Sequence, residues 1–176
     1  MRKGFTLIEL MVSISIFLVV MTISMGAIFS IFDANRKSES LKVVMNNLNL
    51  AVDSMSREIK FGSNYHCGAG GNIKTPQDCA AGDTYISFLS NQGLQEIYTI
   101  NGTSIEKSTD GGRTFLAVTA PEIDIEHLDF YVVGSLKGDG LQPKVLIMVK
   151  GYSGGKPDTK TEFAIQTLVS QRAPDN

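Results

Sequence analysis

Glu9 is a carboxylic acid at the head of an uninterrupted apolar run: from Leu10 to Phe32 the chain has 23 consecutive uncharged residues. An ionised carboxylate beside hydrocarbon is costly unless a cation or donor meets it, so Glu9 is a functional candidate unless it lies in the wet interface. Before it, Arg2 and Lys3 form a short basic region, and Gly4–Phe5 is a candidate cleavage site on the charged side of the run. A secretory signal places its small-residue site beyond the apolar core. Cutting at Gly4–Phe5 would instead leave the whole apolar segment on the mature chain. The other reactive side chains are few. Cys67 and Cys79 are the only cysteines, with eleven residues between them, flanked by His66 and Asp78. They can form a disulfide; a zinc site is the alternative, although the spacing matches no metal signature. A thiol–imidazole dyad would need Cys67 free. Glu122, Asp124, Glu126 and Asp129 read as the solvated face of one strand, with calcium as the alternative because hard cations take oxygen ligands. Asp110–Gly111–Gly112 and Gly138–Asp139–Gly140 read as turns. No phosphate-binding loop, nucleophile elbow or metalloprotease motif occurs, so no catalytic residue, metal site or cofactor is expected.

The six residues from Gly4 to Glu9, G-F-T-L-I-E, resemble the class III leader of type IV pilins and type II secretion pseudopilins. The resemblance implies cleavage between Gly4 and Phe5 by a prepilin peptidase that also methylates the new Phe5 amine. It further implies that Glu9 faces the N-terminal amine of a neighbouring subunit, with Thr6 assisting as a hydrogen-bond donor. Two groups that are costly alone in an apolar bundle would then neutralise each other on assembly. The plan of helix, loop and strands looks most like a minor subunit, similar to the J-class minor pseudopilins or related minor pilins. The implied partners are the peptidase, other major and minor pilin or pseudopilin subunits, and an inner-membrane assembly platform. On this reading the chain is a structural minor subunit and the substrate of an enzyme, not an enzyme. The alternative is a fibre-tip binding module for DNA uptake or surface adhesion.

Composition supports one domain beyond an anchor. Of 16 basic and 18 acidic residues, Arg2, Lys3 and Glu9 precede residue 32, which leaves a small acidic excess beyond it. That balance offers no electrostatic footprint for nucleic acid. Arg2 and Lys3 before the span place the N-terminus in the cytoplasm and the rest outside the cytoplasmic membrane, first in the membrane and then in a fibre. In that compartment the two thiols most simply form a disulfide, closing a short loop.

The elements follow from periodicity. Residues 5–32 are expected to form the transmembrane and assembly helix after a leader of residues 1–4, with Gly26 as a possible weak point. Residues 33–62 continue as an amphipathic helix. Leu41, Met45, Leu48, Val52, Met55 and Ile59 make its apolar stripe, Val44 and Ala51 widen it, and Asp53–Arg57 is an ion pair on the polar face. Gly62 is the expected stop. Residues 63–176 form a disulfide loop over 63–83 and an antiparallel β domain. Strands are expected at Thr84–Ser90, Gln95–Ile100, Thr103–Ser108, Thr114–Val118, Ile123–Val133, Val145–Gly151 and Glu162–Ser170. Asn101–Gly102 is a type I′ hairpin signal. The inward set Ile123, Ile125, Leu128, Phe130, Val132 slips phase by one residue, which places a bulge near Glu126–His127. The fold class is α+β, a long N-terminal helix packed on an antiparallel sheet.

Overall fold

The computed structural model describes residues 4, 6–153 and 160–172, apart from the side chains of Ser40 and Val43. Arg2, Lys3, Phe5 and most of the expected flexible connection over residues 152–160 therefore lie outside the described residues. One helix, α1 (Leu7–Phe61), contributes to two compact units, Met1–Ser40 and Leu41–Asn176.

In the first unit every described side chain up to Glu39 is exposed, including Leu10, Phe17, Ile23, Phe29 and Phe32. From Leu10 to Phe32 this helix is uncharged on all sides, and a surface of that kind is suited to lipid or to other helices, not to water.

In the second unit the apolar stripe of α1 closes a core. Val44, Leu48, Val52, Met55 and Ile59 are buried together with Phe88, Tyr98, Ile105, Phe130, Ile147 and Val169 from the strands. Met45, expected in the stripe, is 39% exposed. One residue beyond Val44 turns it about 100° away, to the rim. The expected Asp53–Arg57 pair is not closed; among the described residues the ion pairs involve Glu58, Glu96, Glu126, Lys107 and Lys160. The helix does end before Gly62, but Gly62 is not in the left-handed region. It is glycine because a Cβ would stand 2.6 Å from the Phe88 ring.

The strands divide into two antiparallel sheets, where one was expected. β1 (Ser63–Cys67), β3 (Tyr85–Leu89), β4 (Gln95–Asn101), β5 (Ser104–Ser108) and β6 (Leu116–Ala117) are neighbours in that order. β2 (Cys79–Asp83), β7 (Ile123–Val133), β8 (Lys144–Ser153) and β9 (Thr161–Ser170) make the second sheet. The 63–83 segment is thus not all loop. Its ends are strands, one in each sheet, although Cys79–Asp83 (CAAGD) has none of the β-branched residues that signal a strand. β2 contains Gly82 at φ 85°, where a Cβ would meet the Tyr131 ring at 2.8 Å. The hairpin also moves by one residue. Asn101 pairs with Ser104, so Gly102–Thr103 form the loop, and Gly102 alone has positive φ, the type II′ pattern. The expected Thr114–Val118 strand shrinks to two residues because the Asp110 carboxylate accepts bonds from Arg113 N (2.9 Å) and Thr114 N (3.0 Å) and curls the chain.

The phase slip in β7 is a real bulge. Ile125 pairs with Gly151 and His127 with Lys150, leaving Glu126 as the extra residue, and the expected inward set is buried on both sides of it. β8 and β9 pair without a break from Lys144↔Ser170 to Ser153↔Thr161.

Candidate functional site

At the head of α1, Thr6 and Glu9 bind each other reciprocally. Thr6 N and Oγ1 donate to Glu9 Oε2 at 3.0 and 2.8 Å, and Glu9 N donates to Thr6 Oγ1 at 3.4 Å. Leu10 N reaches Thr6 O at 3.3 Å, the first helical bond. This is a capping box, Thr6 at the N-cap and Glu9 three residues on. The Thr-x-x-Glu spacing signals it in the sequence, where the pair was read only for assembly. The carboxylate is therefore partnered within a single chain, and its second oxygen, Oε1, is free of these bonds. Gly4 stands in open space: a Cβ there would meet nothing within 4 Å. Within the described residues no packing reason requires glycine at position 4.

Below the cap, α1 is long and apolar enough to cross a membrane. Its hydroxyls are satisfied along the helix: Ser15 Oγ donates to Met11 O and Ser24 Oγ to Val20 O, both at 2.8 Å, and Thr22 Oγ1 donates to Leu18 O. Such back-bonding lets polar side chains enter hydrocarbon without an external partner. Gly26, like Gly4, has open space around it and is helical.

Cys67 and Cys79 are joined by a disulfide with Cα atoms 5.7 Å apart. It links β1 to β2 and so ties the two sheets together, a role that the loop reading had not assigned. His66 and Asp78 have other partners. The His66 ring nitrogens lie 2.8 Å from the carbonyls of Thr75 and Gly70, and Asp78 accepts bonds from Gly134 N and Ser135 N at 2.9 Å. Among the described residues no group of three or more His, Cys, Asp or Glu side chains is arranged to hold a metal. Glu122, just before β7, and Asp124, Glu126 and Asp129 within it are exposed or half-buried, and Glu126 pairs with Lys160 at 3.6 Å.

A polar cluster unread in the sequence joins α1 to the first sheet. Lys107 Nζ lies 2.7 Å from Glu58 Oε2 and 3.2 Å from Glu96 Oε2, and Tyr98 Oη donates to Glu58. Burial pushes the Glu96 carboxyl up, with the Lys107 charge opposing, and burial together with Glu58 holds the Tyr98 phenol well above its usual range. These shifts have a structural cause: the cluster docks the helix. Its members come from positions 58, 96, 98 and 107, and no local pattern connects them.

Taken together, the structure has a capped apolar helix of membrane-spanning length, suited to membrane anchoring, in a chain of α+β class. Residues 1–25 match the prokaryotic N-terminal methylation motif, the class III prepilin leader, consistent with the type IV pilin and pseudopilin superfamily. The match supports a type IV pilin-like or pseudopilin subunit, and motifs of this kind mark structural chains. Such a leader implies processing by a prepilin peptidase and assembly with other pilins. No curated protein and no solved structure matches the chain.

Proposed function

We propose that this chain is a structural minor subunit of a type IV pilus or type II secretion pseudopilus and has no enzymatic role. The peptidase cuts between Gly4 and Phe5 and methylates the new Phe5 amine. The anchor holds the N-terminus at the cytoplasmic side with residues 41–176 outside, until the subunit enters the fibre. The observation that carries the reading is the G-F-T-L-I-E leader heading an apolar helix that nothing covers.

Glu9 then has two states. In the monomer it caps α1 through Thr6. In the fibre its carboxylate receives the Phe5 amine of an adjacent subunit, which would otherwise be buried unpaired. Glu9→Gln and Glu9→Val separate these roles, since Gln still completes a capping box and Val does not. Both variants should reach wild-type membrane levels and be cleaved, and both should fail to cross-link into assemblies with partner subunits. Normal assembly of Glu9→Gln would leave Glu9 as a helix cap only and overturn the charge-pairing mechanism.

A further inference from the structure

Two carboxylates of the second unit meet one cation. Lys107 Nζ on β5 lies 2.7 Å from Glu58 Oε2 on α1 and 3.2 Å from Glu96 Oε2 on β4. Their positions are unequal. Glu58 also accepts the Tyr98 hydroxyl, and 30% of its side chain is exposed, against 10% for Glu96. Glu96 Oε2 is buried and has no well-aligned hydrogen-bond donor, only the lysine charge beside it. With both carboxylates ionised the cluster carries one net negative charge in a site short of water, which is costly. A proton on Glu96 removes that excess and adds an O–H that Glu58 can accept. Among the described residues the charges acting on Glu96 are Lys107 and Glu58. Burial, opposed by Lys107 and reinforced by Glu58, pushes its carboxyl above the ordinary value of 4.5. The contact sits where the helix finishes, because Glu58 is three residues before Phe61, the last of α1.

We propose that Glu96 is a proton-operated latch between the last turn of α1 and the first sheet. With the proton on, Lys107 belongs to Glu58, Glu96 donates to Glu58, and the helix end is held against β4 and β5. With the proton off, two carboxylates share one ammonium and the helix end loosens, while Met55 and Ile59 keep the core beneath it packed. A carboxyl whose proton affinity rises on folding stabilises fully below its unfolded value, about 4.5, and loses that contribution as pH climbs through the folded value. The latch uses neither Glu9 nor the anchor, so it stands or falls independently of fibre assembly.

The test compares wild type with Glu96→Gln, as full chains in non-ionic detergent, by thermal melting and hydrogen–deuterium exchange at matched pH. Gln keeps the shape and a donor of the protonated acid and does not ionise. At pH 8 Glu96→Gln should melt higher, and amides of residues 55–61 should exchange about threefold slower than in the wild type. Both differences should close as pH falls to 4. In the Glu58→Gln background the competition is gone, and the advantage of Glu96→Gln should vanish. In the wild type alone, protection of residues 55–61 should fall between pH 4 and pH 8 while that of β7 and β8 stays level. A wild type that melts as high as Glu96→Gln at pH 8, a difference of equal size at both pH values, an advantage that survives Glu58→Gln, or unchanged protection of residues 55–61 would each overturn the proposal.

Discussion

Two single residues, Gly4 and Asp110, carry separate tests. Gly4 is tested by processing: Gly4→Leu should keep Arg2 and Lys3 on the chain, and intact mass of membrane-extracted protein reads this directly. A wild-type chain beginning at Met1 in its native host would contradict the leader reading. Asp110 is tested by pH. Bonds from Thr114, Ser108 and the Arg113 amide hold its carboxyl well below the ordinary aspartate range. A carboxyl lowered in the folded state stabilises fully above its unfolded value, about 4, and loses that contribution as pH falls below it. Asp110→Asn should therefore lower the melting temperature at pH 7, and the gap to wild type should narrow steadily below pH 4. A gap independent of pH would show that the loop depends on the shape of the side chain and not on its charge.

Among the elements, β7 and β8 show how one glycine admits a bulge. A Cβ on Gly151 would stand 2.2 Å from Asp124 O and 3.0 Å from Ile125 Cα, the residues just before the extra Glu126. Overpacking a buried site of this kind costs about 1–3 kcal/mol, and contact with backbone puts Gly151→Ala at the upper end. Urea unfolding should show the midpoint falling at unchanged slope; a stability equal to wild type would mean that the bulge is not tied to this contact. The disulfide works at the same scale. Closing the segment between Cys67 and Cys79 contributes about 3 kcal/mol in the chain-entropy model, and because its ends lie in different sheets it also ties β2 of the second sheet to β1 of the first.

For the whole molecule, the division at Ser40 and Leu41 makes a prediction about folding. The buried hydrophobic core begins at Val44 and draws on both sheets, while the described side chains of the first unit bury nothing. A fragment of residues 41–176 should be water-soluble, oxidised at Cys67–Cys79 and cooperatively folded. Circular dichroism melting checks it: a broad, non-cooperative transition would mean that the first unit is needed for folding. The full chain, in contrast, should require detergent or lipid because of the exposed apolar surface from Leu7 to Phe32.

Much of this was legible in the chain itself, and for a physical reason: the informative signals are local. The uncharged run, the 3.6-residue stripe from Leu41 to Ile59 and the phase slip at Glu126 each arise from neighbours in sequence; the run lies in α1, the stripe is buried at Leu48, Val52, Met55 and Ile59 but not at Met45, and the slip is the bulge in β7. Periodicity says which face a strand buries but not which strand lies beside it. Only tertiary structure therefore divided the strands between two sheets, recruited the Gly- and Ala-rich Cys79–Asp83 as β2, and moved the hairpin loop to Gly102–Thr103. The same holds for the Glu58–Tyr98–Lys107–Glu96 cluster. Its residues are distant along the chain and acquire partners and burial only once the helix and the first sheet have packed.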